Sequence, residues 1–208
     1  MECLQQVEDG SIKRLLGFFP PGSGKSTYTS VVFPTHFLGR FRNKAVIVAS
    51  YGSELPRKFG RRARSIVGQD IYKRIFDCQL SEESSAADEW ALTNGSEWMA
   101  RGILTGITGN RVDGVIWDDL IKGREQAESE VVRNKTWDAY FDDLMTRKKP
   151  RSFEIGILTR WHEDDPAGRI LPIVAQVKQS GIPAVIVEEP DGRRSIVPLT
   201  LAAPVAPA

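Results

Sequence analysis

The chain of 208 residues carries 28 Lys and Arg against 27 Asp and Glu, a formal net charge of +1, with 41% hydrophobic and 26% charged residues. That length suffices for one sizeable core or one domain plus a tail, and the charge balance excludes a global bias toward nucleic acid or membrane, so any polyanion site must come from local clusters. Cys3 and Cys78 lie far apart and outside any C-x-x-C, which argues against a disulfide framework or a zinc site; with no bilayer-length apolar run and no signal peptide, a cytoplasmic protein is expected.

The start, "MECLQQVEDGSIKRLL", is short and polar. Residues 13–19 read as a buried strand, and the loop "PPGSGK" follows it. A helix is expected from about Lys25, limited by Pro34. Residues 44–50, "KAVIVAS", form a second strand rich in β-branched residues. Residues 51–67 read as a helix that tolerates Pro56 in its first turn, and "DIYKRIF" as a second, shorter one. Two alternating runs around Asn94-Gly95 predict a hairpin. A third strand, 112–119, ends in two carboxylates. One long helix is expected over 125–148, then a fourth core strand, 152–160, and a helix over 165–179. A last hairpin is expected around Asp191-Gly192, and the end "LAAPVAPA" reads as disordered. There is no internal repeat. Strands alternating with helices predict an α/β fold, a mainly parallel sheet with helices on both faces, whose ligands bind at the carboxyl ends of the strands.

"GSGKST" sits between an apolar strand and a helix, the setting a phosphate-binding loop requires. Backbone N–H groups of Gly22, Ser23, Gly24, Lys25, Ser26 and Thr27 would face phosphate oxygens at a helix N-terminus. Lys25 supplies a mobile positive charge for the β- and γ-phosphates, and Ser26 a hydroxyl for magnesium. The usual first glycine of this motif is Phe19 here. Pro20 and Pro21, which lack N–H groups, would set the loop by stiffness instead. Asp118, ending an apolar strand, suits a magnesium ligand, and Asp119 the positioning and activation of water, one methylene shorter than the glutamate many hydrolases use there. The ordinary alternatives are a glycine-rich turn and a solvated strand end.

Thr159 ends the strand expected beside the phosphate loop and would contact the γ-phosphate or the attacking water. His162, Glu163, Asp164 and Asp165 invite a metal-site reading, but the better account makes Asp164 the N-cap of the next helix, with Pro166 in its first turn. Two basic runs, Arg57, Lys58, Arg61, Arg62 and Arg64, then Arg147, Lys148, Lys149 and Arg151, are either solvated faces or contacts to DNA phosphates or a neighbour's active site.

Together "PPGSGKST", "ASYGSELPRKFGRRARSIV", "ITGNRVDGVIWDDLIKGREQAESE" and above all "LTRWHEDDPAGRIL" resemble the ATPase domain of the phage terminase large subunit, over roughly residues 11–171. The resemblance implies an additional-strand, catalytic-acid P-loop NTPase that uses ATP and Mg²⁺. Gly22 to Thr27 would be the Walker A loop, Asp118 and Asp119 the Walker B pair, and Thr159-Arg160 the motif coupling hydrolysis to movement. It implies translocation of double-stranded DNA into a capsid by a homo-oligomeric ring, with the portal protein and the terminase small subunit as partners. Two departures stand out. Gly22 replaces a basic loop residue common in the family, and too few residues follow Leu171 for the family's nuclease domain. The expected organisation is therefore an ATPase domain over 1–175 and a linker or truncated tail over 176–208, without DNA cutting. A non-catalytic prophage remnant and a helicase-like ATPase remain the rival readings.

Overall fold

The computed structural model describes residues 2–19, 22–107, 109 and 111–171, together with the backbone of 185–188, 194–197 and 200–201. The Pro20-Pro21 entry to the loop, the Asp191-Gly192 turn and most of the 165–179 helix lie outside the described residues.

A short helix α1 (Glu2–Glu8) precedes strand β1 (Arg14–Phe18). Helical residues begin at Lys25, pass through a π-helical stretch, Thr27–Val32, and continue as α2 (Phe33–Arg40). Pro34 thus does not stop the helix. A proline ring clashes with the carbonyl four residues back and offers no N–H to it. The wider π turn just upstream, where the Phe33 N–H reaches the Tyr28 carbonyl, changes the register there and lets the helix run on.

Strand β2 (Ala45–Ser50) and helices α3 (Glu54–Val67) and α4 (Asp70–Phe76) follow as predicted. Strand β3 (Leu80–Ser85) was not expected, because "LSEESS" has no apolar alternation. It pairs antiparallel with β4 (Glu89–Leu92), which pairs antiparallel with β5 (Glu97–Gly102) across the Asn94-Gly95 turn. Gly95 there has φ +82°, and the Asn94 side-chain amide donates to the Leu38 carbonyl at 2.8 Å, tying the hairpin to the end of α2.

Strand β6 (Val112–Asp118) leads to a helical region that breaks where one long helix was expected. α5 (Gly123–Glu128) ends at Ser129, whose hydroxyl caps α6 (Glu130–Ala139) by accepting the Val132 N–H. A π-helical stretch, Tyr140–Leu144, and one 3₁₀ turn, Met145–Arg147, complete the crossing, and β7 (Lys148–Leu158) begins four residues earlier than predicted. Residues 166–171 are helical; β8 (Val185–Glu188) and β9 (Arg194–Val197) pair antiparallel, and β10 (Thr200–Leu201) sits at an edge of the main sheet. Leu201, first residue of the low-complexity end, pairs with Leu16.

The main sheet runs β10-β1-β7-β6-β2-β5-β4-β3, parallel from β10 through β5. Strand β7 is thus inserted between the strand that leads into the phosphate loop and the strand that carries the acids, the additional-strand order. Alternation along β2 sorts the core onto two faces. Val46 and Val48 join Phe33, Phe37, Phe59 and Ala63 under α2 and α3, whereas Ala45, Ile47 and Ala49 join Tyr140, Leu144 and Ala167 on the other side. Both faces of the parallel strands are covered, so β2 is buried at every position.

The β6–β7 ladder packs glycine against aromatic in both directions. Gly114 faces Phe153 and Gly156 faces Trp117, and a Cβ on either glycine would overlap the opposing ring. Gly156→Val is expected to destabilise the fold by about 2–3 kcal/mol through overpacking, read as a lowered denaturant midpoint with an unchanged slope. An unshifted midpoint would mean that the indole moves aside freely.

Candidate nucleotide site

Three neighbouring strand tips meet at one point. Gly22 (φ +81°) and Gly24 (φ +77°) turn the loop after β1 through the left-handed region, where a side chain is strained. The chain then enters its helix at Lys25 and Ser26, and the Thr27 N–H closes onto the Gly24 carbonyl at 2.9 Å. The Lys25 ammonium reaches across the sheet to Asp118 Oδ1 at 2.8 Å and Asp119 Oδ2 at 2.6 Å.

Consecutive strand residues point to opposite faces, so two adjacent aspartates should not share a partner. They do so because the strand ends between them. Asp118 is the last residue of β6 and fully buried, whereas Asp119 leaves the strand with φ +46°. Aspartate tolerates that region better than most residues. The conformation is held from several directions. Asp119 N–H donates to Ile157 at 3.0 Å, its carbonyl accepts from Tyr51 N–H at 3.1 Å and from the Ser50 hydroxyl at 3.2 Å, and its Oδ1 accepts the Thr159 N–H at 2.7 Å.

Burial pulls the Lys25 ammonium downward, but the charges and hydrogen bonds of Asp118 and Asp119 outweigh it and hold the group above its ordinary value. Lys25 is therefore held in its charged form between two carboxylates. That observation bears on magnesium: the ammonium stands where an oxygen-rich cation site would lie, with Asp118 buried and Ser26 at the helix start on the same loop. Hydroxyl and carboxylate oxygens suit Mg²⁺, and these residues fit it.

Sequence reasoning missed Ser30, whose buried hydroxyl donates to Asp118 Oδ2 at 3.0 Å. Its signal was weak: a hydroxyl little more than one helical turn after Lys25, on a stretch whose π geometry was not foreseen. It also missed that Arg62, on α3, donates to the Thr27 hydroxyl at 3.1 Å.

At the tip of β7, the Thr159 hydroxyl leans on the Phe19 carbonyl at 3.4 Å, so Thr159 touches both the acid and the exit of β1. Arg160 turns away from the Lys25 cluster. Its guanidinium holds Asp165 at 2.8 Å and the carbonyls of His162 and Glu163 at 3.2 Å each. The expected helix cap is displaced by one residue. Asp165, not Asp164, caps the 166–171 helix by accepting the Gly168 N–H at 2.9 Å. Asp164 instead binds Arg133 and Arg169, and the two guanidiniums, Arg169 first, hold its carboxyl far below the usual range. A Cβ on Gly168 would collide with the Glu163 carbonyl, which explains the glycine in "AGR". Of the second basic run, Lys148 is paired with Glu154 and Lys149 with Asp113.

The family model for the N-terminal part of the terminase large subunit, T4-like virus type, matches residues 16–195. Among solved structures, the large terminase of bacteriophage HK97 is similar in fold, with a TM-score of 0.52 at 11% identity over 85% of this chain. The match covers 36% of the HK97 chain, so this chain spans about a third of that protein's length. No curated protein matches the sequence.

Proposed function

Because the chain belongs to the T4-like-virus-type family of terminase large subunits, matched in its N-terminal part, we propose that it is a magnesium-dependent ATP hydrolase whose turnover moves double-stranded DNA into a capsid. The observation that carries the proposal is the meeting of Lys25, Asp118, Asp119 and Thr159 at three adjacent strand tips, with β7 inserted between β1 and β6.

On this reading the loop N–H groups from Gly22 to Thr27 cradle the phosphates, and Lys25 moves from the two aspartates to the β- and γ-phosphates. Ser26 and Asp118 hold the Mg²⁺, which neutralises phosphate charge when bound. Ser30 keeps Asp118 aimed at that site. Asp119 orients the attacking water and accepts its proton at a carboxylate oxygen. Thr159, joined to Asp119 through its N–H, registers the γ-phosphate with its hydroxyl, and Arg160 braces the following loop so that the signal reaches the 166–171 helix. Working partners of this motor would be the portal protein, the terminase small subunit and further copies of the chain in a ring on the DNA.

Asp119→Asn tests the assignment. The variant keeps the hydrogen-bonding oxygen for Thr159 and loses the base, so it is expected to bind ATP with magnesium about as wild type does. Its turnover, with or without double-stranded DNA, should fall on the order of a hundredfold or more. Turnover equal to wild type would remove Asp119 from the chemistry.

A further inference from the structure

Lys25 and the two aspartates mark where the γ-phosphate end of a triphosphate lies. The loop ends at Thr27, and the backbone N–H groups of such a loop cradle the α- and β-phosphates. Two side chains stand there without a structural task. Tyr28 is 52% exposed, although Thr29, Ser30 and Val31 immediately after it are all buried. Its ring lies against the turn, with Cε2 3.6 Å from the position a Cβ would take on Gly24. Arg62 is exposed and reaches from α3 to the Thr27 hydroxyl. Arg14, Arg133, Arg160 and Arg169 each pair with a carboxylate, but Arg62 meets a neutral hydroxyl and no carboxylate among the described residues. Its place is fixed by close packing of α3. Gly60, two residues earlier, lies so near Trp98 and the Ala87 carbonyl that any Cβ would clash.

We propose that Tyr28 and Arg62 form the nucleoside side of the nucleotide site, with the Tyr28 ring stacking on the base and the Arg62 guanidinium passing from the Thr27 hydroxyl to the α-phosphate. This rests on the ATP reading above and adds to it. Phosphate-loop contacts grip the triphosphate of any nucleotide, whereas an aromatic face adds affinity that depends on a base being present. Arg62 brings to the α-phosphate the positive charge that Gly22 does not bring to the loop, and brings it from a different helix.

The test is equilibrium binding of ATP and of inorganic tripolyphosphate, each with magnesium, to wild type, Tyr28→Ala, Tyr28→Phe, Arg62→Gln and Lys25→Ala. Tyr28→Ala is expected to weaken ATP about tenfold and leave tripolyphosphate unchanged, and Tyr28→Phe to restore ATP binding. Arg62→Gln is expected to weaken both ligands several-fold. ATP binding that is lost in Lys25→Ala but unchanged in Tyr28→Ala and Arg62→Gln would overturn this inference alone. Equal weakening of ATP and tripolyphosphate by Tyr28→Ala would overturn base stacking. A folded wild-type chain that binds neither ligand would overturn the ATP reading and this inference with it.

Discussion

On the proposed function, replacing Lys25 with alanine is expected to lower ATP turnover by on the order of a thousandfold, the cost of removing a positioned charge from a site of phosphoryl transfer. The same change leaves Asp118 and Asp119 facing each other without their cation. Asp118 is fully buried, so the variant should also lose stability, and added magnesium should recover part of it by occupying the carboxylates. The wild-type protein should recover less, because its own ammonium already sits at 2.8 Å and 2.6 Å from them. Two measurements check this: steady-state hydrolysis, and thermal unfolding over a magnesium series. Wild-type turnover in Lys25→Ala would end the assignment of this loop as the catalytic one. A magnesium response identical in the two proteins would mean that the ion binds elsewhere.

The largest stability effect is expected at Glu154, which makes no contact with the Lys25 cluster. It lies on β7, 4% exposed, and accepts from Trp117 Nε1 at 3.0 Å, Tyr140 Oη at 2.5 Å and Lys148 Nζ at 3.1 Å. Arg14 on β1 stands 3.1 Å away. One carboxylate thus accepts from β6, β7 and the π-helical stretch after α6, and pairs by charge with Arg14 of β1. Burial pushes the Glu154 carboxyl up, but Lys148, Arg14 and the two neutral donors outweigh it and bring it down to about 2. Burial pulls the Lys148 ammonium down even with Glu154 beside it.

Glu154→Ala strands two partly buried cations, Arg14 and Lys148, and two buried donors, for an expected loss of about 3 kcal/mol and roughly 10 °C in Tm. Glu154→Gln, which keeps an acceptor without the charge, should fall between. The pH dependence has a definite sign. A carboxylate whose folded value lies below its ordinary one, near 4.5, contributes stability that is full above that value and is lost as pH falls from about 4.5 toward 2. Unfolding midpoints of wild type should therefore drop steeply across that window. In Glu154→Gln the slope should be shallower, with Asp113 and Asp164, also lowered, carrying the remainder. Equal slopes would show that Glu154 titrates alike in the folded and unfolded chain.

Much of the site was legible because its parts obey local rules. A glycine pair before Lys25, an apolar run ending in two aspartates and another ending in Thr159 each declare a strand tip, and parallel α/β topology gathers strand tips at one edge. The shared grip of Asp118 and Asp119 on Lys25 was not legible, because alternation argues against it and only the φ of Asp119 permits it. Pro34 misled for a related reason, since the rule for proline assumes α-helical register and the helix is π-helical just before it. The break at Ser129 was written in the sequence as a capping hydroxyl, but helical residues on both sides masked it. Strand β3 could not be read from composition, because "LSEESS" is a strand by virtue of a neighbour that pairs with it. Arg62 at Thr27 is a long-range contact between two helices, and no spacing rule reports one.

The position of β7 also dictates when the molecule can become competent. β1 is laddered to β7 and, along two residues, to β10, so it has no early-made strand beside it. The contact between Phe19 and Thr159 spans 140 residues. At ordinary elongation rates the ribosome needs on the order of ten seconds to supply that span. During that interval "RLLGF" is an apolar segment with two unpaired edges, and β2, β5 and β6 can assemble without it. Nucleotide binding by ribosome-bound chains of increasing length would thus begin only after β7 has emerged, so the phosphate loop would become functional only well after it is itself translated.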